Sequence, residues 1–502
     1  MVVYMNNKPM LNAYPDSMGG KLSDIVSFLA QDTMKDTFSS FYILPSIYHS
    51  DLDRGFSVID YDINEKIAKP KDLEKLKKLG IDLKLDFILN HASTQSPQFT
   101  DLVQRGEQSE YKDFFIRWND FWEGYGSMTE DGYLQPEPEY MKKMFFRKPG
   151  LPILMVKFPD GKRVPYWNTF YQEEHYPLYL GQMDLNIKSS KVWDFYKDTL
   201  KKIASYGAKI VRLDAFAYAP KEPGEKNFLN EPGTWDLLNR IQELANPYKL
   251  TLLPEIHAAY EEQIYLKLKT KGYMTYDFFL PGLVIDAIEN KRSNYLAAWG
   301  REIITQNLQV VNMLGCHDGI PMLDLKGLLP EEDIQKLIDL IVARGGLVKN
   351  LHGQKNMYYQ VNATYYSALG ESEQKLLMAR AIQLFMPGKP QIWYLDLFAG
   401  KNDHEAVERA GESGHKEINR TNLTTEEVQK ALEKNIVKQQ IEMIRFRNTC
   451  QAFAEGAKID IVDKEGCLRI IWKQECVCAE LTVDFENETY HYGEVPVDKM
   501  QK

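Results

Sequence analysis

The 502-residue sequence lacks several features that would assign it to particular classes of protein. It has no run of about 18 apolar residues, which a membrane-spanning helix would need, and its start lacks the basic and apolar stretches of a secretory leader. The net charge is −10, with 61 basic and 71 acidic residues interspersed, so no basic face predicts binding to nucleic acid or to a membrane. These absences predict a cytoplasmic protein whose partner is a small or neutral molecule.

Cysteine is also scarce, with five residues in the whole chain. Cys316 and Cys450 are isolated in the sequence, which is typical of a reduced cytoplasmic protein and not of a disulfide framework. Cys476 and Cys478 would share one face of a strand, but without a second pair or a nearby histidine they do not predict a metal site. We therefore expect neither a metal nor a cofactor.

Short β-rich runs alternate with amphipathic helical periodicity through most of the chain. KDLEKLKKLG from Lys71 and TWDLLNRIQELA from Thr234 are examples of the predicted helices. Eight units of this kind predict an α/β fold, a (β/α)8 TIM barrel. The eight β-rich runs begin at Met10, Ser40, Asp82, Ala208, Leu250, Met274, Val310 and Pro390.

Three further segments do not fit the simple alternation of strand and helix. The interval from His91 to Asp184 and the interval from Pro321 to Ala368 are too long for crossovers, so each predicts an inserted subdomain. The tail from Ala457 to Val495 alternates with a period of two, which predicts a small C-terminal antiparallel β domain. We expect the barrel in residues 1–93, 187–320 and 371–448, the two insertions in 94–186 and 321–370, and the C-terminal domain in 449–502.

Polar side chains cluster at the carboxyl ends of the predicted strands, which form the rim where barrels of this kind build active sites. Three carboxylates that meet on one rim repel each other unless cations face them. Arg212 and the histidines would supply that compensation. The rim residues are Asp53 after the second strand, Asn90 and His91 after the third, Arg212 and Asp214 on the fourth, Glu255 and His257 after the fifth, and His317 and Asp318 after the seventh.

Two carboxyl groups in different environments are what the chemistry of a glycosidic bond requires. We expect Asp214, beside Arg212, to have a lowered pKa and to act as nucleophile on the anomeric carbon. We expect burial behind the apolar run LTLLP to raise the pKa of Glu255, which suits a general acid that later acts as base. Asp318 would bind sugar hydroxyls. For any one of these residues a buried ion pair at the rim is an equally good interpretation, but the three together favour catalysis.

DFILNH, IVRLDA, LLPEIH and LGCHDG resemble the four motifs of the alpha-amylase superfamily, in the same order and on the expected strands. Within the superfamily, the chain resembles the sucrose phosphorylase subfamily along nearly its whole length. The segments that carry this narrower resemblance are NAYPDSMGGKLSDI, DRGFSVIDYD, YYQVNATYYSALG, FMPGKPQIWYLDLFAGKND and HKEINR.

The resemblance implies a role for each matching residue. Asp214 matches the nucleophile, Glu255 the acid/base and Asp318 the stabiliser of the transition state. The residues matched to the glucosyl unit and to the rest of the substrate are Asp53, Phe56, His91, Gln182, Arg212, His257, His317 and Arg420. The candidates for phosphate and for the acceptor side, where His257 would also take part, are Arg147, Lys148, Tyr359 and Gln360.

The implied reaction is the transfer of glucose from sucrose to inorganic phosphate. Asp214 would displace fructose while Glu255 protonates its oxygen, and phosphate would then attack the β-glucosyl enzyme from the same face. Two inversions retain the configuration and release α-glucose 1-phosphate. The implied partners are therefore a small sugar and inorganic phosphate, and a homodimer is compatible with the sequence.

The half of the site that would hold the leaving group departs from the subfamily pattern. Where the subfamily usually has Asp-Leu-Tyr-Gln, the chain has Met357-Tyr358-Tyr359-Gln360, which lacks the carboxylate expected to bind fructose. The segments YPDSMGG, CHDGIP and RFRN resemble the branch that cleaves sucrose 6-phosphate, and a phosphorylated leaving group suits the loss of a carboxylate because like charges repel. Extra residues also occur from Tyr171 to Gly181, with no role assigned.

Other reactions and one other class of protein also fit the same motifs. Members that cleave glucosylglycerol or glucosylglycerate belong to the same subfamily, and a hydrolase or transglucosidase would use the same three carboxylates. A sugar-binding or transporter-accessory relative without catalysis would typically lack part of the triad or add a membrane span. Neither feature occurs in this sequence.

Overall fold

A computed structural model describes residues 6–146, 150–170, 172–175, 178–350, 358–464 and 466–496, with the backbone alone at 172–175, 349–350, 358–359 and 412–413. Eight parallel strands form its central sheet: β1 Met10–Ala13, β2 Ser40–Ile43, β3 Asp82–Ile88, β4 Ala208–Asp214, β5 Thr251–Pro254, β6 Thr275–Asp277, β7 Val310–Asn312 and β8 Lys389–Trp393. Their spatial order is β5-β4-β3-β2-β1-β8-β7-β6. The sheet is a nearly closed barrel.

These eight strands are the eight predicted from the sequence, and the prediction of a TIM barrel is confirmed. Helices connect them, and the amphipathic ones bury an apolar face, as Ser190–Ser205 does with Val192, Tyr196, Leu200 and Ile203. The main helices of the barrel are Leu22–Leu29, Pro70–Lys78, Ser190–Ser205, Gly233–Ala245, Ile264–Thr270, Leu280–Glu289, Asn294–Thr305, Glu373–Phe385, Thr425–Leu432 and Asn435–Thr449.

Strand β4 explains how charged residues come to lie in the barrel interior. Successive side chains of a strand point to opposite faces, so Arg212 and Asp214 share a face while Val211 and Leu213 point the other way. All four residues are buried. The apolar face packs into the hydrophobic core, and the charged face is therefore directed toward the site at the carboxyl end of the barrel.

The first of the two long intervals lies between β3 and β4 and forms an insertion whose two ends pair with each other. His91–Ser93 pairs antiparallel with Leu178–Asp184, so the chain leaves and re-enters the barrel at one place. The insertion has an apolar cluster of its own, built on Trp118, Trp122 and Trp167. It contains helices Pro97–Arg105, Trp118–Phe121 and Pro138–Met141, and strands Gly126–Met128, Leu134–Pro136, Ile153–Lys157, Arg163–Trp167 and Gln172–His175.

The second insertion follows β7 and also folds back on itself. Ile320–Pro321 and Leu347–Asn350 both pair with Tyr358–Asn362, and helix Glu331–Ala343 lies between them in sequence. The exact boundaries proposed above for the two insertions stay a prediction.

A four-stranded antiparallel sheet closes the chain, as predicted. Its strands are Lys458–Lys464, Cys467–Gln474, Val477–Asp484 and Thr489–Pro496. Trp472 attaches it to the barrel because its indole N–H donates to the carbonyl of Phe385 at 2.6 Å, and Arg447 lies over the indole ring. Among the helices that the structure describes, none has the length and apolar character to cross a membrane.

Candidate active site

The pairing of β4 with β5 brings the expected nucleophile and acid/base side by side. The two strands pair in parallel, with Arg212 opposite Leu253 and Leu213 opposite Pro254. One step further along the same register lie Asp214 and Glu255, and the backbone N–H of Glu255 still bonds the carbonyl of Leu213 at 3.2 Å. Neighbouring strands are about 4.8 Å apart, which matches the short separation of carboxyl groups in retaining glycosidases, about 5–5.5 Å.

Arg212 joins three carboxylates at the floor of this site. Its Nη1 donates to Asp86 at 2.6 Å and to Asp214 at 2.8 Å, and its Nη2 lies 2.5 Å from Oε1 of Glu255. The Arg212 side chain is 3% exposed, so the interactions are poorly screened by solvent. Asp214 and Glu255 therefore face one cavity, as glycosidic chemistry requires.

The pKa values of Asp214 and Glu255 differ from the prediction in direction. Burial raises the pKa of Asp214 well above its ordinary range, because Arg212 is shared with Asp86 and Glu255 and cannot offset it. Burial also acts to raise the pKa of Glu255, but Arg212 and His257 outweigh it and the pKa is lowered. The predicted directions, a lowered pKa for Asp214 and a raised pKa for Glu255, are therefore reversed in this geometry.

Asp318, at the end of the seventh unit, is surrounded by basic groups. His317 Nε2 lies 3.0 Å from Oδ2, Lys416 Nζ donates to Oδ1 at 2.7 Å, and Arg420 Nη2 is 3.8 Å from the same oxygen. Burial alone would raise the pKa of Asp318, but His317, Lys416 and Arg420 hold it well below its usual range. Asn362 Nδ2 donates to the backbone carbonyl of Asp318 at 2.6 Å and so fixes its position.

Asp53 reaches the same cluster from the segment after β2. Its two oxygens lie 3.3 Å from Arg420 Nη1 and 3.6 Å from Lys416 Nζ. Asp53 and Arg54 have φ values of 45° and 52°, and two consecutive left-handed residues are a strained backbone that clusters at functional sites. Arg54 supports the turn by donating to the carbonyl of Arg420 at 2.6 Å and stacking on Tyr14.

Phe56 forms an aromatic wall of the cavity. Its ring stacks on His317 with centroids 4.9 Å apart, and the Arg212 guanidinium lies 5.4 Å from the ring centroid. The backbone carbonyl of Phe56 accepts from His91 Nε2 at 2.9 Å and from Gln182 Nε2 at 3.3 Å. Burial lowers the pKa of His91, which agrees with a neutral ring that donates through Nε2. The structure thus gathers all the predicted donor-side residues around one cavity.

His257 occupies the side of Glu255 that faces the second insertion. Its Nδ1 lies 3.2 Å from Asp324, its Nε2 is 3.9 Å from Glu255, and its ring stacks on Phe278 with centroids 3.8 Å apart. Burial acts to lower the pKa of His257, but Asp324, which is 1% exposed, outweighs it and the net direction is up. A histidine whose pKa is raised suits an anionic group beside Glu255.

The other predicted acceptor residues are only partly described. Arg147 and Lys148 lie outside the described residues, and so does the side chain of Tyr359. Gln360 is buried at 4% exposure, in the strand that pairs with Ile320–Pro321 directly after Asp318. The same strand contacts Asp318 through Asn362, and the assignment of Gln360 to the acceptor remains a prediction.

Sequence reasoning missed three charged residues of this site. Asp86 lies within the motif DFILNH, where a carboxylate in an apolar strand was a usable signal, and Lys416 lies within HKEINR. Asp324 carried no such signal, because its partner His257 is 67 residues away in sequence and only the fold brings them together.

A buried lysine holds the first insertion to the rim. Lys221 Nζ lies 2.8 Å from Asp184 and 3.3 Å from Asn90 Oδ1, and it also donates to the carbonyl of Tyr218. Lys221 and Asp184 are 1% and 0% exposed. Thr169 completes the shell of Asp184 with two hydrogen bonds of 2.7 Å. The ammonium thus joins the ends of β3 and β4 to the insertion.

Comparison with known proteins identifies the family of the chain. A family model described as the alpha amylase catalytic domain matches residues 33–318, more than half of the chain. The chain belongs to the alpha-amylase family. Within this family, the sucrose 6(F)-phosphate phosphorylase of Ilumatobacter coccineus is 52% identical over 98% of this chain and 96% of its own length. The sucrose phosphorylase of Streptococcus mutans is 32% identical over 97% of this chain and 98% of its own.

A solved structure of the alpha-amylase family agrees over the whole fold. The crystal structure of sucrose 6F-phosphate phosphorylase from Thermoanaerobacter thermosaccharolyticum matches with a TM-score of 0.89 and 34% identity, covering 99% of this chain and 97% of that one. These three relatives are phosphorylases, and the resemblance of the chain to the phosphorylases of this family is confirmed.

Proposed function

We propose that the chain is a retaining glycoside phosphorylase that acts on sucrose 6F-phosphate and inorganic phosphate, and releases α-glucose 1-phosphate and fructose 6-phosphate. The observation that carries this choice is the 52% identity, over nearly the whole chain, to a sucrose 6(F)-phosphate phosphorylase. The absence of a carboxylate from Met357-Tyr358-Tyr359-Gln360 supports it, because a carboxylate there would repel a phosphorylated leaving group.

In the first step, a carboxylate oxygen of Asp214 attacks the anomeric carbon and forms a β-glucosyl ester. The bond from that carbon to the fructosyl oxygen breaks, and Glu255 transfers its proton to the departing oxygen. Glu255 must hold a proton at that moment, whereas Arg212 and His257 lower its pKa in this geometry. Binding of the substrate therefore has to raise the pKa of Glu255 and to lower that of Asp214, so that Asp214 attacks as a carboxylate beside Arg212.

In the second step, a phosphate oxygen attacks the same carbon from the face that the fructosyl group left. The ester bond to Asp214 breaks, and the Glu255 carboxylate accepts the proton of the attacking phosphate, which restores the starting state. The two inversions retain the α configuration.

Asp318 supports both steps because its charge is opposite to the positive charge that develops on the ring. Its low pKa, maintained by His317, Lys416 and Arg420, keeps it ionised throughout. Asp53, Phe56, His91, Gln182 and Arg420 would hold the glucosyl unit.

The acceptor side has to attract phosphate strongly enough to exclude attack by water. The raised pKa of His257 favours a protonated ring 3.9 Å from Glu255, with Asp324 as the group that positions the ring. Arg147, Lys148, Tyr359 and Gln360 are the further candidates for the two phosphate groups.

Sucrose itself is a second candidate substrate, and a specific observation favours it. Tyr359 and Gln360 retain the last two residues of the usual Asp-Leu-Tyr-Gln segment, and the similarity to the sucrose phosphorylase of Streptococcus mutans extends over 97% of the chain. In that case the leaving group would be fructose, with the same roles for Asp214 and Glu255.

The test compares the two substrates in saturating phosphate. We expect kcat/KM for sucrose 6F-phosphate to exceed that for sucrose by about 100-fold, since each hydrogen bond to a charged group contributes about 1.5–3 kcal/mol. The products to measure are α-glucose 1-phosphate and free glucose, and Asp214→Asn is the inactive control. Equal rates on the two sugars would favour the second candidate, and free glucose as main product would make the protein a hydrolase.

A further inference from the structure

Lys416 is a charged residue of the site. The reaction proposed above does not assign it a direct contact with the substrate. It lies in the 3-10 segment Gly411–Asn419, which follows β8. Its Nζ is 2.7 Å from Oδ1 of Asp318 and 3.6 Å from Oδ2 of Asp53, and the side chain is 21% exposed. A lysine ammonium has three donors, so these two carboxylates do not exhaust its capacity.

Arg420 adds a second unused donor to the same cluster. Its Nε donates to the carbonyl of His317 at 2.8 Å and its Nη1 to Asp53 at 3.3 Å. Within the described part of the chain, its buried Nη2 has no hydrogen-bond partner, although it lies 3.8 Å from Oδ1 of Asp318. A buried donor of this kind normally bonds a protein group or a water, so Nη2 has donor capacity for a water or a hydroxyl group.

The cluster therefore alternates two cations with two carboxylates around one space. A hydroxyl group donates one hydrogen bond and accepts others, so it fits between a cation and a carboxylate. Two neighbouring hydroxyls of a sugar ring fit such an alternating set. An isolated anion does not fit it, because Asp53 and Asp318 would repel it.

We propose that Lys416 is a substrate-binding residue of the donor subsite, where its ammonium donates to a ring hydroxyl of the glucosyl unit lying between Asp53 and Asp318. This inference rests on the proposed function in one respect, since it requires a glucosyl unit attached at Asp214. It does not depend on whether the leaving group is fructose or fructose 6-phosphate.

The experiment uses α-glucosyl fluoride as donor, because its leaving group is fluoride and makes no use of the acceptor side. We expect Lys416→Met to lower kcat/KM for this donor roughly 10- to 150-fold, the range for loss of a hydrogen bond to a charged group. Lys401→Met is the matched control. Lys401 also follows β8, but its side chain is 64% exposed and pairs with Glu371 away from the cavity. That variant should keep the wild-type value.

A second measurement separates direct binding from support of the neighbouring carboxylates. The 3-deoxy and 4-deoxy forms of α-glucosyl fluoride each lack one hydroxyl. With the donor that lacks the hydroxyl bound by Lys416, the wild type and Lys416→Met should differ by less than about threefold, since the interaction is already absent. A loss of the same size on all three donors would overturn the proposal, and so would a Lys416→Met enzyme that matches the wild type.

Two further readouts keep the outcome interpretable. If Lys416→Met does not fold, as judged by its thermal midpoint, Lys416→Arg keeps the charge, and it should fold and show the same dependence on one hydroxyl. If α-glucosyl fluoride is a good donor while sucrose 6F-phosphate is not cleaved, the proposed leaving group is wrong and the test of Lys416 still stands. If α-glucosyl fluoride forms no glucosyl enzyme, the donor subsite itself and this inference are both refuted.

Discussion

Replacement of Lys221 by methionine tests whether a buried ammonium holds the first insertion on the barrel. The change keeps most of the apolar stem and removes the charge. Asp184, at 0% exposure, would then keep the two hydrogen bonds from Thr169 and a long one of 3.4 Å from Asn90, but it would lose its cation at 2.8 Å. A carboxylate left in this state is buried and uncompensated.

The expected cost follows from the burial of the pair. Removal of one partner of a buried ion pair costs about 3–5 kcal/mol, and the retained bonds from Thr169 place Lys221→Met near the lower value. The matched control is Lys188→Met. Lys188 pairs with Glu222 at 2.9 Å, nearly the same distance, but the two side chains are 64% and 51% exposed. An exposed ion pair contributes at most about 1 kcal/mol to stability. The difference in burial therefore predicts that Lys221→Met loses more free energy of unfolding than Lys188→Met.

Unfolding in urea, followed by tryptophan fluorescence, measures the loss of stability and reports on the first insertion. Trp118, Trp122 and Trp167 form the core of the insertion, and Lys221 Nζ lies 5.7 Å from the centre of the Trp167 ring. A loss of about 3 kcal/mol lowers the midpoint by about 1 M if the slope is about 3 kcal/mol/M. Adding Asp184→Asn to Lys221→Met should recover part of this loss. Equal midpoints for Lys221→Met and Lys188→Met would refute the reasoning.

Three other predictions concern the catalytic groups and their support. Glu255→Gln should lower the rate on sucrose 6F-phosphate about 10²- to 10⁴-fold. The variant should still accumulate a glucosyl enzyme from α-glucosyl fluoride, detected by mass spectrometry, because fluoride leaves without a proton. Equal losses of rate on both donors would exclude Glu255 as the acid. Protonated His257 favours phosphate binding, so KM for phosphate should rise as pH rises through the raised pKa of His257. Asp324→Asn should lower that pKa and shift the rise of KM to lower pH. An unchanged pH profile of KM would contradict the role of Asp324 in positioning and charging His257. Gly55 has φ 113°, and a Cβ there would lie 2.1 Å from the backbone N of residue 46, so Gly55→Ala should displace Asp53 and abolish most activity on α-glucosyl fluoride. Wild-type kcat/KM in that variant would show that the turn tolerates a side chain.

The sequence by itself was sufficient to predict the barrel and to predict that Asp214 and Glu255, its two main catalytic candidates, lie side by side. Strands that are buried on both faces read as apolar runs, and polar residues at their carboxyl ends must meet at one rim. Asp214 and Glu255 end neighbouring strands, so their juxtaposition followed from local patterns and from chain order. The first insertion was recognisable from the sequence because the interval from His91 to Asp184 is too long for a crossover.

The directions of the pKa shifts of Asp214 and Glu255 were decided only by the tertiary structure. Sequence neighbours suggested that Arg212 belongs to Asp214, two residues away, but the fold also brings Asp86 and Glu255 to the same guanidinium. One cation divided among three carboxylates cannot hold all of them ionised, so the pKa of Asp214 is raised. The balance of charge depends on distances across strands, which a linear sequence does not contain.

The same reason applies to the supporting residues. Lys416 contacts Asp318 across 98 residues, and Lys221 contacts Asn90 across 131. Local periodicity determined which segments become strands and helices, because that information lies within a few residues. The partners of each buried charge were set by packing, because only the closed barrel and its insertions bring such distant side chains within hydrogen-bonding distance.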